Sequence, residues 1–137
     1  MHSSDLESEF VVLSPTKDAT RIANTPDVYQ KLQREFGNFA GHDLVTCYSF
    51  DRNWANWERH PNGDEIVVLL SGAATFILEM DGGRREIPLS RTGEYAIVPK
   101  GVWHTAQVQE PSRVLFITPG EGTEHRATEF AAQETDQ

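Results

Sequence analysis

Between Asp43 and Thr118 the chain is a succession of short stretches rich in β-branched and aromatic residues, each closed by Gly, Pro, Asn or Asp. They run Asp43 to Phe50, Trp54 to His60, Glu65 to Leu70, Ala73 to Met80, Arg85 to Pro88, Glu94 to Val98, Trp103 to Val108 and Arg113 to Thr118. Stretches this short, recurring with turn residues between them, predict an all-β sandwich or barrel. Asp81-Gly82-Gly83 is a strong hairpin signal between the fourth and fifth stretches. With 137 residues there is material for a single domain, 1–137, its barrel core at about 43–119.

The flanks read differently. Phe10-Val11-Val12-Leu13 has strand character, and Thr25-Pro26-Asp27 opens a short helix to about Phe36. Thr25 is the expected N-cap, Pro26 the first helical residue and Gly37 the stop, with Val28, Leu32 and Phe36 as the apolar stripe. Strand and helix together occupy 9–37. From Pro119-Gly120-Glu121-Gly122 onward the chain turns polar, and 120–137 is expected to be a tail whose last residues, Ala131 to Gln137, are mobile. The run Ile66 to Leu70 is apolar on both faces, so its outer face needs cover, from a second copy of the chain or from the N-terminal strand.

Two segments carry the chemistry. Glu58 and His60 are two residues apart, so on a strand they leave the same face, joined by Trp54 and Asn56 if the strand starts early enough. Pro61-Asn62-Gly63-Asp64 reads as a tight turn, with Asp64 as turn chemistry, and the chain then returns with Glu65 beside His60. In the second segment Tyr95 to Val98 is strand-like, Pro99-Lys100-Gly101 turns, and the returning strand carries His104. Glu58, His60, Glu65 and His104 can therefore meet as ligands of one divalent metal. Glu58 has a second reading, as a carboxylate that orients a metal-bound imidazole.

These segments resemble the two motifs of the cupin superfamily. His60, four intervening residues, Glu65 and the later Gly72 fit the end of the first motif; Gly93, five residues, Pro99-x-Gly101 and His104 fit most of the second. Two departures stand out: Glu58 occupies the place of the first motif histidine, and Val108 that of a frequent asparagine. The resemblance implies a double-stranded β-helix or jelly-roll barrel with one short N-terminal helix, a small-molecule site inside it, and a homodimer. With two carboxylates in place of one, a bound dication is neutralised, and the site favours Fe, Mn, Zn or Ni over soft copper.

The function expected is that of a metal-dependent enzyme, dioxygenase or isomerase in type, acting on a small organic molecule. Tyr48, Trp54 and Phe76 are the expected pocket walls. Two alternatives stay open: a metabolite- or metal-binding sensor or storage module, and a metal-free acid/base epimerase in which crowded carboxylates push one pKa up. A net charge of −9 with scattered Lys and Arg argues against nucleic acid. The N-terminus lacks a secretory pattern and no apolar run is long enough to span a membrane, so a cytoplasmic protein is expected. Cys47 excludes an internal disulfide and reads as a small buried hydrophobe, while His2, His42 and His125 fall outside both motifs and read as ordinary polar residues.

Overall fold

A computed structural model describes residues 2–129. Its strands are β1 (Glu9–Leu13), β2 (Ala19–Ala23), β3 (Asp43–Phe50), β4 (Asn56–Arg59), β5 (Glu65–Met80), β6 (Gly83–Leu89), β7 (Tyr95–Val98), β8 (His104–Thr118) and β9 (Glu124–Ala127), with helix α1 (Val28–Glu35) between β2 and β3. All pairings are antiparallel.

The long strands β5 and β8 organise the barrel. The first half of β5 pairs with β7 and with the last part of β8, which in turn pairs with β3, and the sheet continues through β1 to β2. The second half of β5 pairs with β6 and the start of β8, which leads to β4 and β9. One strand pair is thus shared by two halves of the sheet. Four sequence stretches expected as separate strands are merged here, 65–70 with 73–80 and 103–108 with 113–118. The reason lies at the crossing point, where register shifts between Leu69 and Ala74 absorb the bend without breaking the ladder.

Gly72 makes that bend possible. Its φ is +90°, and an added Cβ would collide with the Pro111 carbonyl and sit 2.7 Å from Ser112 Cα. Ser112 Oγ then accepts from Ala73 N at 3.0 Å, satisfying backbone that the bulge leaves unpaired. The Asp81-Gly82 hairpin closes β5 onto β6 as expected, with both residues at positive φ and Met80 opposite Gly83.

The N-terminal strand forms where expected, but as β1 it extends the sheet beside β3 and pairs outward with β2, an edge strand whose polar sequence hid it. The helix starts two residues late. Its N-cap is Asp27, while Thr25 bonds Asp27 through its hydroxyl at 2.6 Å and offers its carbonyl to Val28 N. Gly37, at φ +58°, ends it as the sequence requires. Helix residues Val28 and Leu32 pack with Phe10, Val12, Phe39 and Leu44 in one apolar cluster, and a second, including Val67, Leu69, Phe76, Leu78, Val114 and Phe116, fills the barrel.

The expected polar tail is in part a strand. β9 pairs with β4, Trp57 opposite Arg126 and Glu58 opposite His125. The expectation for Ala131 to Gln137 lies outside the described residues.

Candidate metal centre

Backbone register brings the two motif segments together. Glu58 on β4 lies directly opposite His104 at the start of β8, His60 follows β4, and Glu65 opens β5. The turns that follow are clipped to each other: Gly101 N donates to the His60 carbonyl at 3.0 Å, and Lys100 N donates to Asp64 Oδ1 at 2.8 Å. Asp64, expected to act within its own turn, instead accepts from the backbone of the other one.

Glu58, His60 and His104 each offer a ligand atom within 4.8 Å of the others. Glu65 sits among them, Oε1 at 3.0 Å from His104 Nε2 and Oε2 at 3.3 Å from His60 Nε2. Glu58 Oε2 is 3.8 Å from His60 Nε2. His60, Glu65 and His104 are almost wholly buried, at 4%, 2% and 0% exposure, and Glu58 is partly exposed.

Burying such groups costs several kcal/mol unless each polar atom finds a partner. Yet His60 Nε2, Glu65 Oε1 and His104 Nε2 are buried without a hydrogen bond, although they converge on one point. One carboxylate oxygen of Glu58 and two imidazole nitrogens form a donor set for a divalent transition metal, with the Glu65 carboxylate against both imidazoles beside it, and the residues present fit such an ion.

The local electrostatics agree. Burial alone would raise Glu65, but His104 and then His60 outweigh it and hold its carboxyl at about 2, below the ordinary range. His104 is disfavoured as a cation by burial, yet the Glu65 carboxylate lifts its pKa above the ordinary value. A proton at His104 and a metal ion at Glu65 are thus alternative ways to balance one buried negative charge. The raised carboxylate pKa on which a metal-free acid/base reading depends is not found at Glu65, because imidazoles stand between the carboxylates.

The supporting contacts come from residues that sequence reading passed over. Thr118 donates its hydroxyl to Glu65 Oε2 at 2.6 Å. Thr123 Oγ1 lies 2.8 Å from His60 Nδ1. His125 Nε2 approaches Glu58 Oε1 at 3.2 Å, which lifts the imidazole pKa, chiefly through that hydrogen bond. Only a non-local pairing, β9 on β4, places the last two there.

A cavity of about 730 Å³ opens from this cluster, with Glu58, His60 and Glu65 on its wall and His104 buried behind. Tyr48 and Trp54 line it. So do Phe50 and Phe116, which the sequence did not single out, in an aromatic cluster with ring centroids 5.4 to 6.2 Å apart. Phe76 is one layer back: fully buried in the barrel core, it meets Trp54 edge-on at 5.6 Å and is absent from the cavity wall. It faces inward as expected, but Trp54 stands in front of it.

Among solved structures, oxalate decarboxylase from Bacillus subtilis superposes with a TM-score of 0.51 at 19% identity, over 69% of this chain and 28% of that one. A cupin-2 domain protein from Shewanella frigidimarina aligns with a TM-score of 0.48 at 23% identity, over 56% of this chain and 70% of that one. The barrel has the cupin fold of the decarboxylase, as the two motif turns led us to expect. In sequence, the chain is 31% identical over 102 residues to acireductone dioxygenase from Rhodopseudomonas palustris strain TIE-1, and 31% over 103 residues to that of strain ATCC BAA-98 / CGA009. Each match takes in 69% of this chain and 61% of the relative, so the chain spans about three-fifths of the length of these curated proteins. No family model matches the chain.

Proposed function

We propose that this protein is a metal-dependent dioxygenase that takes a small organic molecule into the cupin cavity, with Glu58, His60, Glu65 and His104 as metal ligands. The observation that carries this reading is the set of buried, unbonded ligand atoms on His60, Glu65 and His104, beside a cavity large enough for a small metabolite. The 31% identity to acireductone dioxygenase supports an acireductone as the substrate class.

When bound, Fe(II), or Mn, Zn or Ni in its place, would supply Lewis acidity and, for iron, a site for dioxygen chemistry. The chain's own residues do the rest. Glu58 and Glu65 neutralise a dication, so the centre does not rely on net positive charge to draw in an anion. Phe50, Trp54 and Phe116 exclude water from one side of the cavity, and the Trp54 indole N–H is itself buried without a hydrogen bond. Tyr29 and Tyr48 share a hydroxyl hydrogen bond at the cavity wall; burial pushes both phenols upward, so they stay neutral donors.

The test is dioxygen uptake by Fe(II)-loaded protein on adding an acireductone under anaerobic-to-aerobic transfer. Uptake that His104→Ala abolishes is expected; no uptake by the fully loaded wild type overturns the proposed activity.

We also infer a homodimer built on the outer face of the β1-β3-β8-β5-β7 sheet. Cross-strand partners form an unbroken apolar row, Val11, Val45, Ile117, Ile66 and Ile97, and a second row runs Leu115, Val68 and Tyr95 as far as Cys47, which is buried beside the Arg113 guanidinium. Ile66, Tyr95 and Ile97 are 36%, 60% and 51% exposed. β1 lies beside this face as another strand and does not cover it. Five strands at about 4.8 Å spacing give an apolar strip roughly 20 Å wide. It carries no charge, so two copies of a chain at −9 meet there without apposing like charges. No helix among the described residues is long and apolar enough to cross a membrane. The cytoplasm is the compartment we assign, consistent with Cys47 as a buried free thiol.

A further inference from the structure

Thr123 stands in the strap that leads from Pro119 into β9, and its side chain is placed between two groups of opposite demand. On one side is the Gly120 carbonyl, 3.0 Å from Oγ1, which can only accept. On the other is His60 Nδ1 at 2.8 Å. A hydroxyl has one proton to give. With that proton directed to Gly120, Oγ1 is left as an acceptor, and His60 Nδ1 must be the donor.

The far side of the ring faces the ligand cluster. His60 Nε2 is buried, 3.3 Å from Glu65 Oε2 and 3.8 Å from Glu58 Oε2. A ring protonated at Nδ1 presents its Nε2 lone pair to that cluster.

The strap that holds Thr123 is itself fixed at both ends. Asn62 Nδ2 donates to the Glu121 carbonyl at 2.9 Å, tying the strap to the turn that follows His60. Downstream, Thr128 N donates to the Ala55 carbonyl at 2.9 Å, tying the end of β9 to the start of β4. Thr123 is held against His60 by backbone anchored on the same strand that delivers the histidine.

We propose that Thr123 is a positioning residue that locks His60 in the Nδ1–H tautomer, leaving Nε2 as a metal-ready lone pair before any metal arrives. It rests on the reading of His60 as a metal ligand. The strap, read from sequence as the start of a polar tail, then supplies part of the centre: Thr123 acts on His60 while His125 Nε2 meets Glu58 Oε1. Hydrogen bonds of this kind fix ring orientation and ligand basicity, and their loss weakens metal binding by about 10- to 100-fold.

The experiment combines two readouts. Nitrogen-15 correlation spectra of metal-free wild type at about pH 8, where an ordinary imidazole is neutral, report which His60 nitrogen carries the proton. Calorimetric titration with Mn(II) alone then compares wild type, Thr123→Val, Thr123→Ser and His60→Ala. The expected result is Nδ1–H at His60 in the wild type, an admixture of Nε2–H and about 10- to 100-fold weaker Mn(II) binding in Thr123→Val, and wild-type behaviour in Thr123→Ser. An Nε2–H His60 in the wild type overturns the proposal without any variant, and so does unchanged affinity in a folded Thr123→Val. Undiminished Mn(II) binding by His60→Ala overturns the metal-centre reading instead, so the two failures are distinct.

Discussion

His60, Glu65 and His104 form a charge-compensated triad that a proton or a metal can complete. Glu65 is held below the ordinary value of 4.5 and His104 above 6.5. The signs follow from linkage. The depressed carboxyl contributes stability that is present above its unfolded value and lost as pH falls through the folded one. The raised imidazole contributes stability that is full below 6.5 and lost as pH rises through its folded value. Metal-free protein therefore loses the His104 contribution as pH rises above 6.5 through the raised His104 value, whereas a bound dication keeps Glu65 compensated throughout. The rise in Tm on adding Mn(II) to chelator-treated protein is expected to be larger at pH 8 than at pH 6, by differential scanning calorimetry at one metal concentration. An equal or smaller rise at pH 8 would show that proton and metal do not compete for the cluster. The ligands were legible in the sequence because turn residues fix their spacing: Pro61 to Asp64 and Pro99 to Gly101 set where His60, Glu65 and His104 emerge. Thr118, Thr123 and His125 were not legible, because each reaches its partner only through strand pairing across more than fifty residues.

At the scale of elements, β9 shows why a short polar string can still be a strand. Its residues Glu124–Ala127 carry no apolar alternation, and their burial pattern is fully exposed. What holds them is a ladder of guanidinium and indole groups on the outer face. Arg126 lies over both Trp103 and Trp57, at 4.7 and 5.2 Å, Arg59 also covers Trp103, and Arg84 also covers Trp57. Each arginine has a carboxylate as well: Glu79 for Arg126, Glu124 for Arg59 and Glu129 for Arg84. Such a clasp has no period that a sequence window can detect. The opposite case is the outer row of β5 and β7, where the apolar run Ile66 to Leu70 announced a second buried face and the structure leaves it open. If a second copy covers it, Ile97→Lys sets two like charges against each other across the contact. Light scattering is expected to report a dimer for the wild type and a monomer for that variant, with metal content unchanged. A wild type that is monomeric at tens of micromolar would contradict the dimer.

For the molecule as a whole, the architecture was accessible because strand length and turn residues are local, while the way strands share a barrel is not. The sequence divides β5 and β8 at Gly72 and Pro111, and the folded chain carries each through its bend as one strand. That continuity matters for function. The β5 half that supplies Glu65 and the β8 end that supplies His104 belong to different halves of the sheet, so the closed barrel is what makes them neighbours. The centre should then be robust to loss of a single ligand, with the scaffold folded and the metal gone. The decisive measurement is the metal content of tag-free protein by elemental analysis, after anaerobic loading with Fe(II) and removal of excess, for wild type, His60→Ala and His104→Ala side by side. About one metal ion per chain in the wild type, lost in both variants while their circular dichroism stays native, is the expected result. Equal metal in all three proteins, or none in the wild type after loading with Fe(II), Mn, Ni or Zn, would contradict a metal centre at these residues.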